Sequence, residues 1–190
     1  IFVGQMIGVD AIAAVSVFFP ILFFLLAFVI GISAGTTVLI GQAWGAQNLE
    51  KVRSVIGSTL FMTLIGGSII AVLGWIFAEH ILQLLGTDPK IMHLSLPYVR
   101  WMLVGSPLLF VYIIYTSILR GVGDSVTPLI ALSLTSLIGL AVTPVLLKGY
   151  FGFPALGIVA PAIATILGYA AVLIFLGFYL NYKNHPLKID

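Results

Sequence analysis

The fold is decided by residues 11–44, which read AIAAVSVFFPILFFLLAFVIGISAGTTVLIGQAW and contain no Asp, Glu, Lys or Arg. An α-helix of about 20 apolar residues is enough to cross the hydrocarbon core of a bilayer. This run is longer, so its helix must tilt, bend or project from the membrane. Pro20 predicts a bend, because proline removes one helical hydrogen bond and its ring clashes with the preceding turn.

Four further apolar runs follow, and short polar stretches that carry most of the charged residues separate them. The apolar runs are continuous and do not alternate with polar residues, unlike the strands of a transmembrane β-barrel. The sequence therefore predicts an all-α, polytopic transmembrane helical bundle with five complete spans. The predicted spans are residues 11–44, 55–78, 96–119, 126–147 and 156–182.

The composition excludes several classes of protein. Hydrophobic residues make up 61% of the chain and charged residues 7%, whereas about a quarter of the residues in a soluble domain are charged. The basic residues are scattered singly, without the patch that nucleic-acid binding requires. The absence of cysteine and the wide spacing of the three histidines predict no metal site. Because no acid, His or Cys lies inside a predicted span, a membrane-embedded enzyme is also disfavoured.

The loop charges predict an orientation, since cytoplasmic loops carry the excess of Lys and Arg. Lys51, Arg53, Arg120, Lys183 and Lys188 fall on one side of the predicted topology, while Lys90, Arg100 and Lys148 fall on the other. We therefore expect residues 47–54, residues 120–125 and the C-terminus to be cytoplasmic. Asp10 and residues 79–95 are then expected outside.

Small and polar residues within the spans are the candidates for packing and for solute contact. Glycines at four-residue spacing allow helices to approach closely in a membrane, and such glycines can also form a hinge. The packing or hinge candidates are Gly31, Gly35, Gly41 and Gly45. Hydroxyl, phenol and amide side chains in the spans are candidates for lining a substrate cavity, and we select Thr36, Thr37, Gln42 and Tyr112.

Three motifs in this order resemble the N-terminal lobe of MATE (multidrug and toxic compound extrusion) transporters. They are GQAWGAQN at residues 41–48, LRGVGDSVTP at residues 119–128, and PALG at residues 154–157 followed by AIAT at residues 162–165. The resemblance covers nearly the whole chain. It implies a twelve-helix protein in two six-helix lobes, of which this chain would supply helices two to six, an incomplete N-terminal lobe. The remaining partners would then be a first helix and a C-terminal lobe of the same polypeptide.

The resemblance also implies a cation site. The family places an Asp in its first helix, which would precede Ile1, and often an Asn and an Asp in its fifth. In this sequence Gly139 and Thr143 occupy the two positions of the fifth helix. Thr143 and Thr165 could still offer hydroxyl oxygens to a sodium ion, with the negative charge supplied from the upstream helix.

The expected function is a sodium- or proton-coupled antiporter in a bacterial or archaeal plasma membrane. It would export small amphipathic, mostly cationic organic compounds without any further cofactor. Two alternatives remain open: a lipid-linked saccharide flippase of the same superfamily, and a channel or structural subunit of the membrane. A flippase is expected to place several basic residues in its cavity, and only Arg100 lies inside a predicted span.

Overall fold

The computed structural model describes residues 9–149 and 156–182, which form seven α-helices and one short 3₁₀ turn. The helices are α1 (Val9–Ser16), α2 (Phe18–Gly45), α3 (Leu49–Leu84), α4 (Pro89–Val104), α5 (Ser106–Gly121), α6 (Val126–Lys148) and α7 (Ala160–Tyr182). The 3₁₀ turn, Gly157–Val159, precedes α7. The described residues contain no β-strand, so the predicted all-α class is confirmed.

The first predicted span consists of two consecutive apolar helices with a one-residue interruption between them. Helices α1 and α2 are separated only by Val17, and together Asp10–Gly45 is long and apolar enough to cross a membrane. Pro20 cannot donate a hydrogen bond to the carbonyl of Ser16, and its ring crowds that carbonyl. The break therefore falls one turn before the proline, in the region where the sequence predicts a bend.

The second helix is much longer than its predicted apolar segment of residues 55–78. Helix α3 has 36 residues and a length of about 54 Å, so both of its ends project beyond the roughly 30 Å hydrocarbon core. Asn48 caps its start by accepting a hydrogen bond from the Lys51 backbone N–H at 2.9 Å. The hydropathy pattern identified the membrane-embedded part but not these polar extensions.

The third predicted span, residues 96–119, is a bent pair of helices rather than one straight helix. Helices α4 and α5 meet at an angle of 45° beside Gly105. Pro107 explains the bend, because it cannot donate to the Leu103 carbonyl and its ring displaces that turn. The structure also begins this span earlier, at Pro89, after Asp88 caps α4 through the Lys90 N–H at 2.9 Å.

The last two predicted spans agree closely with α6 and with the 3₁₀ turn followed by α7. These two helices lie antiparallel and pack extensively against each other. Near one end the Leu156 N–H donates to the Leu146 carbonyl at 3.0 Å. Further along, a Cβ atom on Gly168 would lie 3.4 Å from the Thr135 methyl group. These two contacts fix the register of α6 on α7.

Helix α5 is the centre of the described bundle. It packs extensively against α2 and α3 and also contacts α6 and α7. Its interior face is fully buried at Phe110, Ile114 and Leu119. The outer faces of α2 and α3 instead expose a dense set of large apolar side chains, among them Phe23, Phe24, Phe61 and Met62. Five segments of the described residues qualify as membrane spans. They are α1 and α2 taken together, α3, the bent α4–α5 pair, α6, and the 3₁₀ turn with α7.

Candidate functional site

The three residues predicted for a cation site lie on α6 and α7: Gly139 and Thr143 on α6, and Thr165 on α7. Thr143 donates its hydroxyl to the Gly139 carbonyl at 2.6 Å, and Thr165 donates to the Pro161 carbonyl at 2.8 Å. Both threonines are half-buried. A hydroxyl that donates to its own helix keeps its lone pairs, so each oxygen can still accept a hydrogen bond or contact a cation.

The register of α6 on α7 places these groups at two levels. Gly168 lies opposite Thr135, and Leu156 lies opposite Leu146; Thr165 therefore lies at about the level of Gly139. Thr143 is about one helical turn further along α6. A Cβ atom on Gly139 would meet no atom of the described chain within 4 Å, so space remains beside this position.

Pro144 leaves the Leu140 backbone carbonyl oxygen, one turn earlier in α6, without its helical hydrogen-bond donor. It lies inside α6 and has no N–H, so it cannot donate the helical hydrogen bond to the Leu140 carbonyl. Hard cations such as sodium bind neutral carbonyl and hydroxyl oxygens as well as carboxylates. This part of α6 therefore offers neutral oxygen ligands, and none of its side chains carries a negative charge.

A second polar cluster, the α2–α5 seam, consists of Ser33, Thr37, Ser117 and Arg120. The hydroxyls of Ser33 and Ser117 share a hydrogen bond between the two helices. Thr37 donates to the Ser33 carbonyl at 3.0 Å and to the Ser117 carbonyl at 3.3 Å. Arg120 donates from Nη2 to the Ser117 hydroxyl at 2.7 Å. The seam therefore links a row of buried hydroxyls to an exposed cation at the end of α5.

The structure does not bring the four predicted cavity residues into one cavity. Thr36 is 2% exposed and donates to the Ile32 carbonyl at 2.8 Å, while Thr37 belongs to the α2–α5 seam. Tyr112 is buried, with its ring centroid 5.2 Å from that of Tyr169. Gln42 alone is exposed. In this conformation Thr36 and Tyr112 pack within the bundle, because their faces of α2 and α5 are turned towards neighbouring helices.

The four glycines predicted to serve in packing or as a hinge differ in their surroundings. A Cβ atom on Gly41 would lie 3.4 Å from the Gly121 carbonyl oxygen. For Gly31, Gly35 and Gly45, no atom of the described residues comes within 4 Å of such a Cβ. Those three glycines lie on faces that no described helix covers, so close helix approach or a hinge there stays a prediction.

The sequence did not single out four residues that lie at helix contacts: Ser33, Ser117, Gly67 and Gly121. A signal existed for the serines, since Ser33 lies one turn before Thr37 and Ser117 lies three residues before Arg120. Gly121 entered the sequence analysis only as part of the motif at residues 119–128, yet a Cβ there would lie 2.8 Å from the Ile40 side chain. Which glycines touch a neighbour depends on helix rotation, which a single apolar sequence does not determine.

The acidic side chains of the described chain lie at helix ends. Asp10 and Glu50 lie in the first turns of α1 and α3, Glu79 lies near the end of α3, and Asp88 and Asp124 cap the following helices. No group of three His, Cys, Asp or Glu that could hold a metal ion occurs within residues 9–149 and 156–182. Among the described residues, the polar side chains buried in the bundle are all serines and threonines, so its interior is apolar with neutral hydroxyls.

Long apolar helices with charges at their ends and hydroxyls between them define an integral membrane protein of the polytopic helical class. The family model for MatE matches residues 1–145. The chain is also 46% identical over 188 residues to "Probable multidrug resistance protein YoeA" of Bacillus subtilis (strain 168), covering 99% of this chain and 41% of that protein. The chain belongs to the MATE family.

Two further comparisons define the extent of the similarity. The "FAD transporter" of Shewanella oneidensis is 31% identical over 187 residues, covering 98% of this chain and 41% of that protein. The crystal structure titled "MATE in the bent conformation" superimposes with a TM-score of 0.89 at 26% identity, covering 100% of this chain and 41% of the solved one. The chain thus spans about 41% of the length of its relatives and has the fold of that part of a MATE transporter.

Proposed function

We propose that this chain is the larger part of the N-terminal lobe of a cation-coupled antiporter that exports small amphipathic, mostly cationic organic compounds. The observation that carries the proposal is its 46% identity, over nearly the whole chain, to a protein named for multidrug resistance. Several other relatives carry names of the same kind, including NorM and MepA proteins. The proposal extends that naming to the full-length protein that contains these residues.

The neutral interior supports a cationic or uncharged substrate. The acids lie at helix ends, and the two arginines of the α4–α5 pair do not line a common interior surface. Arg100 lies against the exposed Trp75 ring, and Arg120 lies at the end of α5. An anionic solute needs basic partners in its binding cavity, and this lobe offers none in its interior.

One relative is nevertheless named an FAD transporter, which makes a flavin dinucleotide the sharpest competing substrate. FAD carries a diphosphate, and its desolvation inside the membrane requires positive charge. Because Arg100 and Arg120 do not line a common interior surface, they favour the export of cationic or uncharged compounds over the transport of FAD. A direct comparison of the two substrates is therefore the appropriate test.

We further propose that the coupling ion contacts Thr143, Thr165 and the Gly139–Leu140 backbone. These groups supply neutral oxygens and half-buried space on α6 and α7. A sodium or proton site in the membrane also needs a negatively charged or titratable group. Because the acids of the described residues lie at helix ends, we assign that group to the first helix of the family's N-terminal lobe, as the resemblance implies.

The experiment uses the full-length transporter, purified and reconstituted in lipid vesicles. Ethidium and FAD are each loaded inside or outside, and their movement is followed by fluorescence after an ion gradient is imposed. We expect gradient-dependent movement of ethidium and no movement of FAD above empty vesicles. Transport of FAD without ethidium would replace the multidrug proposal with a dinucleotide transporter, and movement of neither would contradict both.

A further inference from the structure

Arg100 is the one basic side chain inside a predicted span, near the outer end of residues 96–119, and the proposed transport function does not use it. It lies in α4, and its guanidinium carbon is 5.4 Å from the centre of the Trp75 ring on α3. Trp75 in turn packs edge to face against Trp101, with ring centroids 6.4 Å apart. The two helices thus hold a cation against the Trp75 ring, which is 42% exposed at their outer surface.

The charge of Arg100 is not satisfied by the described chain. Its Nε is buried and has no hydrogen-bond partner among residues 9–149 and 156–182. A π face attracts a cation but accepts no in-plane hydrogen bond from the guanidinium edge. A planar guanidinium presents paired N–H donors that match the oxygens of a phosphate. The buried Nε cannot be reached from outside, so the groups that an anion with two oxygens can bind are the two Nη atoms at the outer edge of this half-buried side chain.

The depth of this cluster in the membrane identifies the source of the anion. The uncharged part of α3 runs from residue 54 to residue 78 and is about 37 Å long as a helix. Trp75 lies one turn before Glu79, where that uncharged part ends. Tryptophan concentrates at this boundary between hydrocarbon and headgroups. Arg100 therefore lies just below the phosphate layer of the leaflet on the side of the Gly86 turn.

An apolar groove continues from Trp75 towards the middle of the membrane. It has a volume of about 340 Å³ and is lined by Ala71, Val72, Trp75, Ile76 and Val104. Trp75 and Val104 are exposed to a similar degree, at 42% and 40%. The groove contains no polar lining residue, so its complement is an acyl chain. Trp75 belongs both to the groove and to the Arg100 contact, so the two features are adjacent. A phospholipid is a molecule that joins a phosphate to an acyl chain.

We propose that Arg100, Trp75, Trp101 and this groove form a binding site for one anionic phospholipid. The headgroup phosphate contacts the outer edge of the Arg100 guanidinium, and one acyl chain fills the groove between α3 and α4. A net negative headgroup is preferred, because a choline or ethanolamine cation would compete with Arg100 for the phosphate and be repelled by it. The site lies at the α3–α4 surface and is independent of the α6–α7 residues proposed for ion coupling.

The test counts lipids bound to the full-length transporter by native mass spectrometry during titration with dioleoyl phosphatidylglycerol. In Arg100→Gln we expect the affinity of the tightest phosphatidylglycerol to fall about tenfold or more, as loss of a charge-assisted hydrogen bond implies. Lys90→Gln is the matched control, since Lys90 is an exposed cation in the first turn of the same helix. Its affinity should equal that of the unmodified protein.

A second pair of variants tests the groove. Val104→Trp fills it and should weaken phosphatidylglycerol binding while Arg100 is kept. Ile130→Trp enlarges a side chain of similar exposure on α6, 38% against 40%, and should have no effect. If Arg100→Gln does not accumulate, Arg100→Lys is measured instead. Lysine keeps the positive charge but cannot donate two parallel hydrogen bonds, so we expect a weaker affinity for phosphatidylglycerol.

Several results would overturn the proposal. They are an unchanged affinity in Arg100→Gln or in Arg100→Lys, an equal loss in Lys90→Gln, and equally tight binding of dioleoyl phosphatidylcholine. Displacement of phosphatidylglycerol by inorganic phosphate at millimolar concentration would assign the site to a free anion. None of these measurements requires transport, so their outcome is separate from that of the proposed exporter function.

Discussion

Gly67 on α3 lies directly against the backbone of Pro107 on α5. A Cβ atom on Gly67 would stand 2.7 Å from the Pro107 Cα and 3.2 Å from its backbone nitrogen. The adjacent Ser106 donates its hydroxyl to the Gly67 carbonyl at 3.2 Å. The two helices therefore touch through main-chain atoms at the point where the α4–α5 pair bends, and the glycine is what permits this contact.

Gly67→Ala should therefore destabilise the transporter. The new methyl group meets backbone rather than a flexible side chain, so α3 and α5 must separate, at a cost of about 1–3 kcal/mol. Gly66→Ala is the matched control, because a Cβ at that neighbouring position meets no described atom within 4 Å. Thermal unfolding of the two full-length variants in detergent checks the difference. Equal unfolding midpoints would show that the close contact is not required.

Gly121 should be the sensitive glycine at the other end of α5. A Cβ there would lie 2.8 Å from the Ile40 Cγ2 and 3.1 Å from the Thr37 carbonyl oxygen. Gly121→Ala is thus expected to lower membrane abundance and the unfolding midpoint. Gly35→Ala, which adds its methyl group in open space of the described chain, should be close to neutral. If Gly35→Ala proves the more harmful of the two, an additional helix covers α2 more tightly than α5 does.

The hydrogen bond between Ser33 and Ser117 should contribute measurable coupling between α2 and α5. Both residues are buried, at 8% and 0% exposure. Hydrogen bonds between membrane helices contribute about 0.6 kcal/mol on average and at most about 1.7 kcal/mol. A double-mutant cycle with Ser33→Ala and Ser117→Ala should give a coupling energy in this range. Strictly additive effects on the unfolding free energy would mean that the two hydroxyls do not stabilise each other.

The number of membrane spans could be predicted from the sequence because charge-free runs have few alternatives in a membrane protein. Residues 126–147 and 156–182 differ from α6 and from the 3₁₀ turn plus α7 by only a residue or two. The bend at Gly105 was missed, although Pro107 provided the signal, because its surroundings are uniformly apolar. The break before Pro20 was expected for the same physical reason.

The candidate site was less predictable than the fold. Apolar helices do not reveal which face turns inward when almost every residue is hydrophobic. Thr36 and Gln42 were therefore grouped together, although one is buried and the other is exposed. The selection of Thr143 and Gly139 for a cation site followed only from the resemblance to MATE transporters. The seam between Ser33 and Ser117 required knowledge of how α2 and α5 pack.

Orientation is the next prediction, and it follows from the loop charges. Glu50→Cys and Ser125→Cys should react with a membrane-impermeant thiol reagent from the cytoplasmic side, and Lys90→Cys from the opposite side. All three side chains are exposed near helix ends, and this chain has no cysteine of its own. Labelling of the variants at positions 50 and 90 from the same side would contradict the assignment of α3 as a complete membrane span.

Thr143→Ala and Thr165→Ala should change the ion dependence of transport only modestly. Each removes one neutral oxygen while the backbone oxygens near Pro144 remain, so a weaker apparent affinity for sodium is expected with little loss of maximal rate. Ser136→Ala, on the exposed face of α6, is the control. Complete loss of coupling in either threonine variant would place the essential ion ligand within this chain rather than upstream of it.

The central claim, that this chain is a lobe of an ion-coupled exporter, is tested most directly by the driving force for ethidium transport. The initial rate of ethidium movement is measured in vesicles that contain the full-length transporter, with a sodium gradient, a proton gradient, both or neither imposed. We expect movement against the ethidium gradient when one of the two ion gradients is present, and its loss when an upstream carboxylate is neutralised. Ethidium movement that ignores both ion gradients, with or without that carboxylate, would contradict the account.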